Sequence, residues 1–596
     1  SVFKNDLRVI EEEFEMFVQT KATQSVGKFE IESLNAADNG LTYNTKTNEK
    51  EKDIYDVIPT AKKGYYSEFE IIKGELYYKG DVEQKLIWAK ELGIGIIPYE
   101  IVDGVLISSN SNLLLLDSTG TVRIPYNVTK IDTGVFNNLE GLRKVIIPGS
   151  VKEIGKNAFS NNTSLQEVII EDGVEIIDAY SFGGCSNLQT VKMSDTITEI
   201  GGFAFYNCYN LKNINLSNSI TNIESYAFYN CRVINNIILP DTLNNIGDSA
   251  FKSCISLKEI NLPGSLKTIG NAIFSQCSSL IDIKVDSVNE NFIFENGKLY
   301  NIAKDYLYFV TKNSSESSAT EITIEEGIKK ISSEALDFYT NAKVLNLPST
   351  INSIERNFIP DNIEKINISE GNPKYSSDGI NVYTDIGSTL VLSVTKEKSV
   401  SIRSGTKNIG NYAFQYLNNL ESITLNNELK SIGNQAFYGT KIKSIYIPAS
   451  VTYISSLAFY LLNMQKIEID PANPNYTSDD KFVYNKNKTE IITYYKAESS
   501  VEIPGGIEKI GVMAFHNKNM IKNITIPGSV KEIGNSFNYC YALTSITIPN
   551  SVEKINSNCF SFCNNLTQIN IDNTENSIEG AAWGSPYGMR AVNWLR

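Results

Sequence analysis

Aligned on the aromatic residue of an Ala-Phe pair, the chain repeats itself. Phe136, Phe159, Phe182, Phe205, Phe228, Phe251 and Phe274 follow one another at intervals of 23 residues. The register returns at Leu336 and Phe358, again at Phe414, Phe437 and Phe459, and finally at Phe515, Phe537 and Phe560. Fifteen units on so short a period exclude an ordinary globular core, because each unit must bury its apolar face against copies of itself. A solenoid lengthens by adding turns, so 596 residues need not be divided among several cores.

One unit, "LQEVIIEDGVEIIDAYSFGGC" (165–185), shows the local logic. Leu165, Val168 and Ile170 are spaced L-x-x-V-x-I, ending in an alternation that points two apolar side chains inward from a strand. A Gly or Pro-x-Ser turn follows, and Val174 and Ile177 form a second short inward edge. The Ala-Phe pair then fits one helical turn closing the far side of the coil. The pattern predicts one continuous parallel sheet, a strand in each unit, from near Val145 to near Ile571.

Two further units, "LKEINLPGSLKTIGNAIFSQC" (257–277) and "LTSITIPNSVEKINSNCFSFC" (543–563), carry the motif in full. Over roughly residues 100–580 the chain resembles the BspA-like class of bacterial leucine-rich repeats. That resemblance implies a right-handed solenoid, mainly β, with one parallel strand per turn and short helical or irregular turns opposite.

Longer gaps follow Phe274, Phe358 and Phe459, and they share a pattern of their own. The clearest is "NPNYTSDDKFVYNKNKTEIITYY" (473–495), with counterparts near 372–398 and 289–313 and an opening version at 102–132. Two alternating runs around a polar turn predict inserted β-hairpins, a variation also found in the resembled family. Structural breaks and display loops are both open readings.

Cys185, Cys208, Cys231, Cys254, Cys277, Cys540 and Cys563 each stand three residues after the aligned aromatic, while Cys559 takes the Ala position. Other units place Asn162 or Leu417 in that column, so it is a packing position suited to a small, weakly polar side chain. Coils about 4.8 Å apart would hold such side chains parallel and not convergent, which favours buried thiols over disulfides.

Chemistry is scarce. His516 is the lone histidine, so a Ser-His or Cys-His pair has no evident base. Asp470, Asp479 and Asp480 lack calcium-loop spacing and read as a solvated loop. No catalytic, metal or cofactor site is expected. A net charge of -14 argues against a nucleic-acid partner. No apolar run is long enough to span a bilayer, and the start lacks the pattern of a signal peptide, so any such signal is expected to have been removed.

What remains is the outward side of the strands. Lys192, Asn215, Asn261, Lys284, Asn346, Tyr446, Thr525 and Thr547 lie between the inward apolar positions, with Thr190 and Asn213 two places earlier in their strands. Solubility alone would favour Lys and Glu, so this ribbon of short hydrogen-bonding groups is the candidate ligand-binding face. It suits an extracellular protein or glycan, and equally an undecorated spacer.

Before residue 96 the period changes. Phe3, Leu7, Ile10, Phe14 and Phe17 predict an amphipathic helix, residues 35–53 a polar loop, and "YYSEFEIIKGELYYKG" a hairpin. Asp81 and Gln84 form a capping box for a second helix ending at Gly93. Residues 1–95, a small α+β domain, look like the globular part of type IV pilin-like proteins of Gram-positive bacteria. This implies contacts with other pilin subunits, and attachment to membrane or pilus through a hydrophobic segment preceding these residues. Residues 96–578 form the solenoid, and 579–596, with Trp583 and Trp594, a terminal cap. Together these readings predict a non-enzymatic binding protein at the bacterial surface, an adhesin. The alternatives are a minor pilin-like subunit bearing the solenoid and, less well supported, an enzyme acting on surface polysaccharide.

Overall fold

Each coil contributes backbone hydrogen bonds to its neighbours on three sides, and the 23-residue period sets all three registers. The computed structural model describes residues 99–109 and 119–579, apart from 125, 127, 313–317, 461, 463 and 573–577. It also describes the isolated strands Ile31–Ala37, Gly40–Thr45, Lys52–Asp53, Phe69–Ile72, Glu75–Tyr78 and Ala591–Trp594. The chain divides into two compact units, Ser1–Ser317 with Ile331–Phe338, and Ser318–Lys330 with Tyr339–Arg596.

In the first unit, strands Thr121–Arg123, Lys144–Ile147, Glu167–Ile170, Thr190–Lys192 and Asn213–Asn215 form a parallel ladder. Val145 lies beside Val168 and Val191 beside Ile214, so like faces like. A second ladder uses the shorter strands predicted around Val174 and Ile177, running from Lys130–Ile131 to Thr268–Ile269. Val168, Ile170, Val174 and Ile177 are all buried, as the alternation requires.

The first ladder is not continuous. Residues 236–239 form no strand, and Ile238 is 76% exposed, although Ile237 and Leu239 still point inward. Pairing resumes between Glu259–Leu262 and Asp282–Val285. In the second unit the first ladder is again cut into short sheets, such as Ser422–Thr424 with Ser399–Ser401 and Ser545–Ile548 with Gln568–Ile571. The expected single sheet is therefore a series of segments, broken at the insertions and also inside uninterrupted runs of coils, as at 236–239 and between Ser422–Thr424 and Ser444–Ile447.

The far side of the coil is not helical. Among the described residues the sole helix is the three-residue 3-10 turn Arg356–Phe358. The Ala-Phe segment is a run of tight turns in which the positions two before and two after the aromatic take left-handed φ values. Asn157 (57°), Tyr180 (58°), Phe203 (60°), Asn207 (58°) and Asn230 (64°) are examples. The reason lies in the hydrogen bonds. The amides of Tyr180, Phe182 and Gly184 donate to the Gly202, Ala204 and Tyr206 carbonyls of the next coil, at 2.9, 2.9 and 2.6 Å. A helix would turn these donors along its own axis, whereas alternating hand aims every second amide at the neighbouring coil. The coils also approach closely: a Cβ on Gly155 would lie 2.3 Å from the Ile131 carbonyl oxygen.

Inside, the aromatics stack. Phe136 through Phe274 form one column with ring centroids 4.9–6.1 Å apart. The insertions close such columns: Phe309 meets Phe274 edge-on at 5.7 Å, and Tyr494 stacks on Phe515 at 5.2 Å.

The insertions are larger than hairpins. Tyr476–Ser478, Phe482–Asn485 and Glu490–Tyr494 form an antiparallel meander, and Glu490–Tyr494 then pairs in parallel with Lys509–Ile510. The last meander strand is thus the first strand of the next second ladder. Ser376–Ser377, Asn381–Thr384 and Thr389–Ser393 repeat the arrangement. In the opening hairpin, Val105–Ser109 seeds the ladder of the first unit in the same way.

The third meander is also a wall between two cores. Phe482, Tyr484 and Tyr494 join the apolar cluster that follows it, while Val483 and Tyr495 join the one before. Its strands are apolar on both faces because both faces are buried. Each meander begins with an asparagine that pins it to the preceding coil. Asn473 is fully buried; its amide donates to the Pro448 and Val451 carbonyls, and its oxygen accepts from the Asn475 and Tyr476 amides. Asn289 does the same with Pro263 and Leu266. These contacts give the inserted segments a structural role.

Both predicted N-terminal helices lie outside the described residues. The predicted hairpin is present, with Phe69 opposite Tyr78 and Ile72 opposite Glu75. The polar stretch 35–53 is not a loop: Ile31–Ala37 pairs with Gly40–Thr45, which pairs with Lys52–Asp53. Polar composition hid a hairpin whose backbone pairing needs no apolar face and whose Asn39-Gly40 is a turn signal. At the other end Ala591–Trp594 pairs in parallel with Gln568–Ile571, one full period on. The segment expected to break the pattern therefore adds a strand to it, with Trp594 at the register position of Ile571; Trp583 lies outside the described residues.

Candidate binding surface

All ten proposed face residues lie on the outward side of first-ladder strands, and in the first unit four of them adjoin. Thr190, Lys192, Asn213 and Asn215 occupy neighbouring strands, where the Asn213 amide donates to the Thr190 hydroxyl at 3.4 Å. Asn261 and Lys284 lie on the separate pair beyond the break, and Lys284 binds Glu259 at 3.0 Å. Lys192 is likewise tied to Glu167 at 2.9 Å.

In the second unit Asn346 donates to Thr323 and accepts from the Asn367 amide, at 3.2 and 2.7 Å. The Tyr446 hydroxyl donates to Asp470 at 2.8 Å, and the pairing holds that carboxyl below its usual range, after the Ala472 amide. Thr525 and Thr547 are exposed on two different sheets. The face is thus a set of short polar ladders, each exposed and partly self-satisfied, and not one unbroken ribbon.

The cysteine column is structural. Each thiol donates to the carbonyl of the aligned aromatic one coil back: Cys185 to Phe159 (3.2 Å), Cys208 to Phe182 (3.3 Å) and Cys277 to Phe251 (3.0 Å). Asn162 fills the same position with its amide on Phe136 and Phe159, and Thr440 uses its hydroxyl on Phe437. Small donors recur in this column, while Tyr339, Asp361, Leu417 and Leu462 fill it beside the meanders. All eight cysteines are buried and unbridged, and burial pushes the Cys185 and Cys254 thiols up to about 12.

Lys518 places an ammonium in that column. Its ammonium lies 5.7 Å from the Tyr494 ring, and burial lowers its pKa to about 8. Beside it His516 packs between Tyr460 and Tyr539, with its Nδ1 buried and unbonded. Burial and then the Lys518 charge hold the imidazole below its usual range. Asp479 is a turn cap, accepting from the Lys481 and Phe482 amides and the Tyr484 hydroxyl. Among the described residues no group of three His, Cys, Asp or Glu side chains is placed to hold a metal, and no helix is long and apolar enough to cross a membrane.

Sequence reading passed over one surface feature: a second set of aromatics on the turn side, outside the core column. Tyr180, Phe203 and Tyr226 stack at 4.4 and 4.5 Å in the first unit. Tyr416, Tyr438 and Tyr460 follow one another at 5.2 and 5.6 Å in the second. The available signal was aromatic residues one or two places from the Phe column.

Parallel coils, inward aliphatic ladders and a turn-side aromatic column define a leucine-rich-repeat solenoid, a scaffold whose open surfaces are its strand face and its turn face. The chain belongs to the BspA type leucine-rich repeat family, whose repeat region matches residues 116–233, 198–305, 310–379, 384–497 and 493–590 in six copies. Among solved structures, a leucine-rich repeat protein from Bacteroides ovatus is 20% identical, covering 76% of this chain and 94% of its own, with a TM-score of 0.34. The pneumococcal vaccine antigen PcpA is 17% identical over 81% and 94%, with a TM-score of 0.31. A leucine-rich repeat protein from Eubacterium ventriosum is 17% identical over 75% and 91%, with a TM-score of 0.28. None of the curated proteins matches this chain.

Proposed function

We propose that the protein is a non-enzymatic binding protein displayed at the bacterial cell surface, an adhesin that engages an extracellular protein or glycan through its strand face. One observation carries this reading. Asn215, Asn261, Thr525 and Thr547 are exposed, short and polar at positions that the inward packing leaves free to vary. Charge substitutions at Asn215, Asn261 and Tyr446 should abolish binding to cells or matrix while melting is unchanged. Undiminished binding by that variant would overturn the strand-face reading.

The second reading is a minor pilin-like subunit, with the solenoid displayed on a filament. It is favoured by the hairpin Phe69–Ile72/Glu75–Tyr78, which belongs to the pilin-like pattern. Deleting residues 1–95 should then prevent incorporation into filaments and leave the binding of the solenoid intact.

A further inference from the structure

We propose that His516 is an acid-sensitive latch joining the coils before the third meander to the coils after it. Elsewhere the turn segments of successive coils are joined by backbone. The Tyr412, Phe414 and Tyr416 amides, for example, donate to the Asn434, Ala436 and Tyr438 carbonyls at 3.0, 2.8 and 2.8 Å. At the third meander the partners differ. The Ala514 carbonyl, which would take the Phe459 amide in an unbroken array, accepts from Tyr494 of the meander at 2.8 Å. The turn segment of Tyr460 is met by side chains: the His516 ring lies 5.3 Å from the Tyr460 ring, and the Asn517 amide donates to the Tyr460 hydroxyl at 3.0 Å.

This joint accommodates a neutral imidazole and penalises a charged one. The ring is half-buried between Tyr460 and Tyr539, 5.3 and 5.4 Å away, and its Nδ1 is buried with no hydrogen-bond partner. An imidazolium carries a proton on both nitrogens, so acid places an unmatched N–H at that buried atom. Tyr460 and Tyr539 face the ring with uncharged phenols. The charge acting on it is the Lys518 ammonium two residues on, itself buried beside Tyr494 and Cys540, so protonation brings two like charges together. Burial first, and the Lys518 charge second, hold the imidazole below its ordinary 6.5. The folded state therefore binds this proton less firmly than the unfolded state. Stability that depends on the neutral ring is fully present above pH 6.5 and is lost as pH falls toward the folded value.

His516 is the chain's single histidine, and histidine is the side chain whose ordinary value lies between about pH 5 and 8. A mild fall in pH thus acts on one joint while the carboxylates stay ionised. The meander itself remains closed, because its two faces are buried in the apolar clusters before and after it. The outcome is a local opening on the turn side, in answer to acidified surroundings.

The test uses the full chain with its histidine labelled with carbon-13. The one imidazole resonance should titrate with a midpoint below 6.5. Hydrogen exchange read by mass spectrometry at pH 7.5 and pH 5.5, corrected for the intrinsic pH dependence of exchange, should show about tenfold or greater loss of protection at the lower pH in peptides 456–460 and 512–519. Peptides from 180–230 in the first unit should not change. His516→Gln should abolish the acid response, and it should fold because Gln415 and Asn538 hold the same position in other coils. His516→Lys, charged throughout, should show the loosened joint already at pH 7.5, at a position that Lys252 fills elsewhere. A midpoint at or above 6.5 would overturn the proposal. So would unchanged protection of the two peptides in acid, an acid response that survives in His516→Gln, full protection in His516→Lys, or a loss spread evenly over both units.

Discussion

Residues 119–285 and residues 318–594 are built from the same unit, yet they solve the same packing problem differently. In the first stretch the period runs uninterrupted, seven core phenylalanines stack in one column, and five consecutive coils put cysteine beneath them. In the second, meanders cut the array, the columns shorten, and the cysteine position is filled by Tyr339, Asp361, Leu417, Thr440, Leu462 and Lys518 before cysteine returns. A uniform column propagates one solution from coil to coil. A column restarted at each meander must be refitted each time, and its residues vary.

The comparison can be broken most forcefully in the core. Phe228→Ala removes a fully buried ring stacked on both sides and should cost about 3–5 kcal/mol in chemical denaturation. Phe414→Ala, stacked on Phe437 alone and next to a meander, should cost measurably less. Equal losses would show that interruption does not weaken the column.

Next come the asparagines that pin the meanders. Asn473→Ala strands the Pro448 and Val451 carbonyls with the Asn475 and Tyr476 amides, and should cost about 2–3 kcal/mol. Asn372→Ala, half-buried, loses one amide bond to the Ile351 carbonyl in place of two, along with the matching bonds accepted from the Lys374 and Tyr375 amides, and should cost less. Urea titrations of the two variants give the ranking directly.

Lys518 offers a pH-dependent contrast with the cysteines it replaces. Its pKa is lower folded, at about 8, than its ordinary 10.5, so the folded state holds its proton less firmly than the unfolded state. Below pH 8 the full cost of the buried charge applies, and stability contributed by this group rises with pH from about 8 to 10.5. Lys518→Met should therefore stabilise the protein by about 1–2 kcal/mol at pH 7, with the advantage shrinking across that window. A pH-independent difference would refute the assignment. The smallest effects belong to the strand face, where Asn215→Ser and Thr547→Ser should change stability by no more than about 0.5 kcal/mol.

The repeat, both inward ladders and the thiol column were legible because each is a spacing, and spacings survive without knowledge of neighbours. The sequence of the turn side misled for a physical reason. An Ala-Phe pair between polar residues is compatible with a helical turn, and only contact with the next coil makes alternating hand the better use of the amides of Tyr180, Phe182 and Gly184. The double-sided character of "KFVYN" and "EIITYY" was visible as apolar residues on both strand faces, but nothing in the sequence announces that Val483 and Phe482 face different cores. The candidate strand face was legible as composition. Its division into separate sheets was not, since breaks fall both at the meanders and inside runs of regular coils, as at 236–239.

The strand shared by each meander and its following ladder bears on how such a chain is assembled. A growing stack ordinarily adds each coil to the one before, so an error in register would pass to every later coil. Here Val105–Ser109, Thr389–Ser393 and Glu490–Tyr494 each give the second ladder a fresh template, supplied by residues close in sequence. Misalignment is confined between two such strands. Whole blocks become interchangeable parts, to be duplicated or removed at a meander without leaving the remaining second ladder to find a new first strand.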